Sequence, residues 1–99
     1  MSARETSQSI RMWGDETFGK VSNLSALVAR ARGELDELEK AVRADDRAEI
    51  GSEAADVAIL LHRLVALAGM DLGDEVDAKM AVNRGRTWRA AGDGTGGHV

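Results

Sequence analysis

The sequence contains no cysteine and no proline, and its only aromatic residues are two tryptophans and one phenylalanine among 99 residues. The lack of cysteine excludes disulfide bonds and thiolate metal sites. The lack of proline means that no proline interrupts a helix. No run approaches the roughly 18 apolar residues of a membrane span, and the first residues lack the apolar segment of a secretory signal. We therefore expect a cytoplasmic protein with no membrane partner.

The charge balance is acidic, with 17 acidic against 13 basic residues and a formal net charge of −4. A protein that coats a nucleic-acid polymer needs a basic face, so we expect no such partner. A chain of this length has room for one domain with a modest core, which leaves oligomerisation open. The abundance of alanine, leucine, glutamate and arginine favours an all-α fold.

Apolar residues recur at steps of three and four, which predicts three long helices and one short amphipathic helix. The predicted helices span residues 9–18, 22–43, 47–68 and 72–88. Asp46 and Asp71 are expected to cap the starts of the last two, and Gly69 lies just past the end of the third. Residues 1–91 are expected to form a single helical domain, and the glycine-rich residues 92–99 an irregular tail.

The helix predicted over residues 47–68 carries acids where the pattern predicts a buried face. Glu53 lies in the middle of its apolar stripe, and Asp56 lies on the shoulder of that stripe. A carboxylate on a buried face is unfavourable unless it is paired, hydrogen-bonded or bound to a metal. Acid pairs three residues apart arise by chance in so acidic a chain, and most are solvated. Chance pairing of solvated acids does not explain why Glu53 lies on the face that is predicted to be buried.

The preceding helix offers a second acid pair, Glu34 and Glu37, along one edge of its stripe. A short joint requires the two helices to pack antiparallel, so the four carboxylates can converge. Carboxylate oxygens on facing helices suit a hard cation such as Mg²⁺ or Mn²⁺. The alternative is a buried salt bridge to an arginine.

The last predicted helix adds cations to this pattern. Asn83 interrupts its apolar face, Lys79 and Arg86 share the shoulder of that face, and Arg84 lies on the other side. These groups indicate an anionic substrate, with phosphate as the obvious candidate. The alternative is that Lys79 and Arg86 form ion pairs with the same acids and bind no substrate.

Together these motifs resemble the MazG-like all-α nucleoside triphosphate pyrophosphohydrolases. The family signature of ExxE, a spacer, ExxD and a downstream KxxxNR is matched by Glu34–Glu37, Glu53–Asp56 and Lys79–Arg84, with a 15-residue spacer over residues 38–52. The chain ends are similar to those of a short, often phage-borne subgroup described as acting on purine deoxynucleotides. One departure is Gly33, where relatives commonly carry a glutamate that would support a metal.

The resemblance implies a MazG-like helical bundle that is completed by oligomerisation, as a homodimer or a dimer of dimers. It also implies hydrolysis of a nucleoside triphosphate to the monophosphate and pyrophosphate, with dGTP or dATP as substrate and Mg²⁺ as cofactor, for which Mn²⁺ can substitute. The implied metal-binding and catalytic residues are Glu34, Glu37, Glu53 and Asp56. The implied substrate-binding residues are Lys79, Asn83, Arg84 and Arg86.

Outside these motifs, Trp13, Trp88 and residues 93–99 could form a lid over a purine base, with Asp93 as a candidate acceptor for guanine. The alternative for Trp13, which the sequence favours, is packing against a helix or a partner subunit. His62 lies opposite Glu53 on its helix, so we expect it to be exposed. The rival hypothesis for the whole chain is a non-catalytic helical oligomerisation or interaction module, whose acids form a structural network with basic residues. Binding of Mg²⁺ and a triphosphate distinguishes the two hypotheses.

Overall fold

The computed structural model describes residues 4–99, which form four helices followed by a two-stranded antiparallel sheet. The helices α1 to α4 span Ser7–Phe18, Ser25–Arg43, Arg47–Leu67 and Leu72–Arg84, and the strands β1 and β2 span Trp88–Ala90 and Gly96–His98. The prediction of a mainly helical fold with three long helices and one short helix is confirmed. In this part of the chain, no helix is both long enough and apolar enough to cross a membrane.

Polar side chains define where the helices begin. Asp46 and Asp71 accept hydrogen bonds from amides in the first turns of α3 and α4, at 3.2 and 3.1 Å. At α1, Thr6 and Ser9 cap each other reciprocally, so this helix starts two residues earlier than predicted. Asn23 accepts from the amide of Ser25 at 3.0 Å. Because that turn precedes α2, the helix begins three residues later than predicted. Each cap satisfies an amide that would otherwise lack a partner.

The helix α3 forms the centre of the fold, with α2 packed on one side and α1 on another. The joint over residues 44–46 is too short for anything but an antiparallel arrangement of α2 and α3. The buried apolar residues are small or medium in size, which lets the helices approach closely. They are Ile10, Leu27, Ala31, Ala41 and Ala66.

A buried arginine holds α1 on α3. The Nη2 atom of Arg63 donates to the carbonyl oxygen of Gly19 at 2.9 Å and lies 3.4 Å from Oδ1 of Asp15. The guanidinium also lies 5.7 Å from the centre of the Phe18 ring, which adds a cation–π contact. A Cβ atom at Gly14 would lie 2.8 Å from Cδ of Arg63. Gly14 is therefore what lets α1 pack against this side chain.

The C-terminal prediction is wrong in two respects. The helix α4 ends at Arg84 rather than at Trp88, and the expected irregular tail forms half of a β-hairpin in which Trp88 pairs with His98. The indole nitrogen of Trp88 donates to the carbonyl oxygen of Asn83 at 2.7 Å, which ties the hairpin to the end of α4. Gly92 and Gly94 supply the positive φ angles of 100° and 93° that the turn needs. The predicted boundary at residue 92 falls within this turn, and the division into domain and tail stays a prediction.

The chain is more open than a compact monomer of its size. Its accessible surface is 7549 Å², against about 5,500 Å² expected for its mass. Its radius of gyration is 15.8 Å, against about 12.6 Å expected for a compact domain of this length. The cause is that α4 meets α3 only briefly and buries none of its residues.

Replacing two helical glycines with alanine should change the stability of the protein in opposite directions. Replacing Gly14 with alanine should destabilise the protein by about 1–3 kcal/mol, because the new Cβ overpacks the contact with Arg63. A Cβ atom at Gly33 would meet no other group within 4 Å, so Gly33→Ala should stabilise α2 by roughly 0.5–1 kcal/mol. Urea unfolding of both variants measures the two changes. Equal stabilisation by both would contradict the packing described for α1.

Candidate metal centre

The antiparallel pairing of α2 and α3 brings three acids together. Glu34 lies as far before the joint over residues 44–46 as Asp56 lies after it, and Glu53 is one turn away from Asp56 on the same helix. Each of the three offers a carboxylate oxygen, and these oxygens all lie within 4.8 Å of one another. The structure therefore places three of the four predicted ligands in one cluster, which we call the carboxylate cluster.

Glu53 is the member of the carboxylate cluster whose negative charge is disfavoured by its surroundings. Its Oε2 atom is buried and has no hydrogen-bond partner among the described residues. Burial is the main cause that raises the pKa of Glu53 above its usual value, followed by contact with the Glu34 carboxyl group and by the charges of Glu34, Asp56 and Glu49. All of these effects disfavour the negative charge. A cation placed among the acids would reverse them.

Glu37, the fourth predicted ligand, lies outside the cluster. It forms an exposed ion pair with Lys40, with 3.2 Å between Oε1 and Nζ. Glu49, which was not among the predicted site residues, acts on Glu53 through its charge. The available signal was its spacing of one helical turn from Glu53 on α3.

The donor set fits a hard divalent cation. All three ligands are carboxylates, which Mg²⁺ and Mn²⁺ prefer to sulfur or nitrogen, and the unpartnered Oε2 of Glu53 is an acceptor without a donor. The alternative of a buried salt bridge is not formed: within residues 4–99, no ion pair involves Glu34, Glu53 or Asp56. The buried arginine of the fold, Arg63, is paired with Asp15 instead.

The predicted substrate-binding residues follow one another along the C-terminal third of the chain. Lys79 and Asn83 lie on α4, Arg84 is its last residue, and Arg86 precedes β1. In the part of the chain that the structure describes, none of the three cations forms an ion pair. The alternative in which Lys79 and Arg86 neutralise the acids is therefore not formed. The Oδ1 atom of Asn83 is buried without a partner.

The predicted lid over the base is not formed by the residues expected. Trp88 belongs to β1, where its ring stacks edge-on against His98 with centroids 5.9 Å apart. Both the hydroxyl and the amide of Thr95 donate to Oδ1 of Asp93, at 2.6 and 3.0 Å, and these bonds lower the pKa of Asp93. The polar groups proposed to read a base are thus engaged within the hairpin turn.

A groove of about 490 Å³ lies between α1 and α3. Trp13 forms part of its wall and leaves 53 % of its surface exposed. The other apolar lining residues are Ile10, Ala55, Ala58 and Ile59, and the titratable ones are Glu5 and His62. His62 is half-buried and bonded to Ser7 at 2.8 Å, which corrects the expectation that it is exposed.

No protein-family model matches the chain. The dATP/dGTP diphosphohydrolase of Salmonella phage PMBT28 is 39 % identical over 87 residues, which cover 88 % of this chain and 28 % of that protein. The dATP/dGTP diphosphohydrolase of Cyanophage S-2L is 43 % identical over 56 residues, covering 57 % of this chain and 53 % of that protein. The chain thus spans about half the length of one curated relative and just over a quarter of the other.

A solved structure extends the match to nearly the whole chain. The Cyanophage S-2L MazG-like pyrophosphohydrolase, bound to dGDP and three catalytic Mn²⁺ ions per active site, superposes with a TM-score of 0.71 at 30 % identity. The match covers 94 % of this chain and 88 % of that one. The phage relatives, the shared fold and the carboxylate cluster on α2 and α3 agree, and the chain belongs to the phage-type MazG-like pyrophosphohydrolase family.

Proposed function

We propose that the chain hydrolyses nucleoside triphosphates to the monophosphate and pyrophosphate, with Mg²⁺ or Mn²⁺ held by the carboxylate cluster. The observation that carries this proposal is the buried, unpartnered Oε2 of Glu53 beside two further acids. The names of the two phage relatives and the dGDP and Mn²⁺ of the solved neighbour support it. A non-catalytic module offers no reason for an unneutralised acid on a packed helix face.

The three acids differ in exposure, which assigns them different tasks. When bound, divalent cations would offset the charge of the acids and of the triphosphate and would lower the pKa of a water molecule. Glu34 and Glu53 are half-buried and are placed to hold a cation. Asp56 is exposed, so a carboxylate oxygen of this residue can also orient a water molecule and accept its proton. Glu37 can join them only if its exposed pair with Lys40 opens.

Lys79, Asn83, Arg84 and Arg86 are proposed to bind the phosphates or the sugar. The absence of ion pairs to these cations among residues 4–99 leaves their charge available for an anion. Arginine and lysine suit this task because they donate several charge-assisted hydrogen bonds to phosphate oxygens. The amide of Asn83, with a buried oxygen that lacks a donor, can accept a hydrogen bond from a sugar hydroxyl group.

We propose purine deoxynucleotides as the substrates, with dGTP preferred over dATP, and the α1–α3 groove as the base site. The groove lies on the face of α3 opposite Glu53, and at Ile59, one turn beyond Asp56, it reaches the side of the helix that carries Asp56. The exposed half of Trp13 can stack on a base, which is worth roughly 1–3 kcal/mol and depends little on base identity. Glu5, in the same groove, accepts from the Ser9 hydroxyl at Oε1, which leaves Oε2 to accept from N1 or N2 of guanine, and such polar matching is what discriminates bases.

We also propose that the chain assembles as a homodimer or a dimer of dimers. Beside its buried stripe, α2 carries a second apolar stripe at heptad-like spacing that stays exposed. This stripe consists of Leu24, Val28, Leu35 and Val42. The helix α4 exposes Val76, Met80 and Val82. Contact with a second copy would remove this apolar surface from water.

Glu53→Gln should have opposite effects on stability and on activity. Without metal at pH 7 the variant should melt at a higher temperature, because the folded protein no longer holds a charge that burial and its acidic neighbours disfavour. The difference should disappear as the pH falls through the raised pKa of Glu53, where the wild-type residue becomes protonated. Mn²⁺ should raise the melting temperature of the wild-type protein and have a smaller effect on the variant.

In the same variant, the rate of pyrophosphate release should fall by more than about 100-fold. Loss of a residue that only hydrogen-bonds to a metal ligand costs roughly 10–100-fold, and loss of a ligand itself should cost more. Glu16→Gln, on the exposed face of α1, is the matched control and should change neither property. A Glu53→Gln protein that melts at a lower temperature without metal would show that Glu53 is a structural partner rather than a metal ligand.

Trp13→Ala should reduce kcat/KM for dGTP and dATP by up to about 100-fold, corresponding to the loss of one stacked base. Trp88→Ala removes an aromatic ring of the same size from the hairpin, so it should leave the ratio of purine to pyrimidine kcat/KM unchanged. Steady-state kinetics on the eight common ribo- and deoxyribonucleoside triphosphates measure both effects. Loss of purine preference in Trp88→Ala but not in Trp13→Ala would place the base under the hairpin instead.

Sedimentation equilibrium should give a mass of two or four times 10.6 kDa. Leu35→Glu, which puts a charge into the exposed stripe of α2, should shift the equilibrium towards the monomer. Ala29→Glu lies on a different exposed face of α2 and should not. A folded wild-type monomer at micromolar concentration would contradict the proposed assembly.

A further inference from the structure

One buried hydroxyl group joins three helices. The Ser7 side chain has 0 % exposure, and its Oγ atom accepts from the amide of Leu72 at 2.8 Å. The same Oγ lies 2.8 Å from Nδ1 of His62, and the amide of Ser7 donates to Oδ1 of Asp71 at 3.2 Å. The start of α1, the C-terminal half of α3 and the start of α4 therefore meet at one residue. We call this set of residues the Ser7 joint.

The Ser7 joint contains a serine, a histidine and an aspartate, the residue types of a hydrolytic triad, but its geometry is that of a structural contact. A nucleophilic serine must reach substrate, whereas Ser7 is fully enclosed. In a triad the aspartate orients the histidine, whereas Asp71 bonds to the amide of Ser7 and to that of Asp74. The Leu72 amide occupies one lone pair of Oγ, which leaves the hydroxyl proton and a second lone pair, so Ser7 can pair with either tautomer of His62 at Nδ1.

The rest of α4 has little else to hold it. No residue of α4 is buried, and its contact with α3 is brief. Asp71 caps α4, and the amides of Asp74 and Ser7 lower the pKa of its carboxyl group by donating to it. This cap and the bond between Leu72 and Ser7 both lie at the very start of the helix. The Ser7 joint thus sets the direction in which α4 leaves the helices α1 and α3.

A small change of that direction is magnified along α4. Asn83 lies about 17 Å beyond Leu72 at 1.5 Å per residue, so a 10° tilt at the joint would move it by about 3 Å. Site residues must be held within about 0.5 Å of their productive positions. Lys79 and Asn83 therefore depend on the joint, whereas the carboxylate cluster is held separately by the packing of α2 against α3.

We infer that Ser7 and His62 are positioning residues, which fix the direction of α4 and thereby place Lys79 and Asn83 for contact with the substrate phosphates. This inference rests on the proposed function, because the direction of α4 affects binding only if Lys79 and Asn83 contact a triphosphate. It separates two parts of the site: the joint controls binding of the nucleotide, and the α2–α3 pair controls binding of the metal.

Ser7→Ala removes the partner of both the Leu72 amide and the His62 ring. It should raise KM for dGTP by between a few fold and about 100-fold, the range that a misplacement of about 1 Å allows, with a smaller change in kcat. The Mn²⁺ affinity, measured by titration without nucleotide, should stay the same. Ser25→Ala, at the first and exposed position of α2, is the matched control and should change neither quantity.

A pair of substitutions at His62 tests the same joint with Ser7 in place. Because His62 also lines the groove proposed for the base, its variants are compared by amide exchange along α4 and not by KM. His62→Asn keeps a polar group near the position of Nδ1 and should leave this exchange unchanged, whereas His62→Leu should increase it as Ser7→Ala does. Equal exchange along α4 in the two His62 variants would overturn the inference. So would a Ser7→Ala protein that is less stable but binds the nucleotide normally. A loss of Mn²⁺ affinity in Ser7→Ala would also overturn it, because the joint would then act on the whole fold.

Hydrogen exchange separates failure of this inference from failure of the proposed function. In the metal-free proteins, Ser7→Ala and His62→Leu should increase amide exchange along α4 and leave α2 protected, because only α4 loses its anchor. Unchanged exchange along α4 would overturn the inference even if the enzyme is active. Faster exchange along α4 in a protein that hydrolyses no nucleotide would support the joint and reject the proposed function.

Discussion

The antiparallel packing of α2 against α3 is the constraint on which the rest of the structure depends. Burial of small apolar residues such as Ala31 holds the two helices together, and the joint over residues 44–46 fixes which residues face each other. That register puts Glu34 beside Glu53 and Asp56, although three acids at such a distance repel one another. The apolar contacts of the helix pair thus hold in place a group of charges that electrostatics alone would disperse. Unfavourable local arrangements of this kind persist where the surrounding packing determines them.

The helices and the central acids could be predicted from the sequence because both depend on local periodicity. Glu53 interrupts a stripe with a period of 3.6 residues, and this interruption is visible without knowledge of any other element. His62 could not be placed in this way. It lies opposite Glu53, and a face opposite a buried stripe is normally solvated. Here α1 covers that second face of α3, so the environment of His62 depends on an element about 50 residues away in the chain.

The hairpin and the arginine contact escaped prediction for a related reason. Strands of three residues, one of them beginning with Gly96 and Gly97, show no alternation of polar and apolar side chains. The hairpin is held by contacts that arise only in the folded chain, notably the bond from Trp88 to the carbonyl of Asn83. Arg63 likewise acquires its role from two glycines, one within α1 and one at its C-terminal cap. In each case the contact joins residues that are distant or irregular in the sequence, and no local sequence pattern predicts it.

The contact between Arg63 and the carbonyl of Gly19 has a consequence for how the molecule responds to acid. A guanidinium group keeps its proton throughout the range in which proteins are handled, and a backbone carbonyl does not titrate. This contact between α1 and α3 is thus independent of pH, whereas the pKa of Glu53, between α2 and α3, is raised by burial. A fall in pH would therefore neutralise Glu53 and leave the bond from Arg63 to the Gly19 carbonyl intact. Protonation of Glu53 would weaken the attraction of the carboxylate cluster for a cation while this link between α1 and α3 persists.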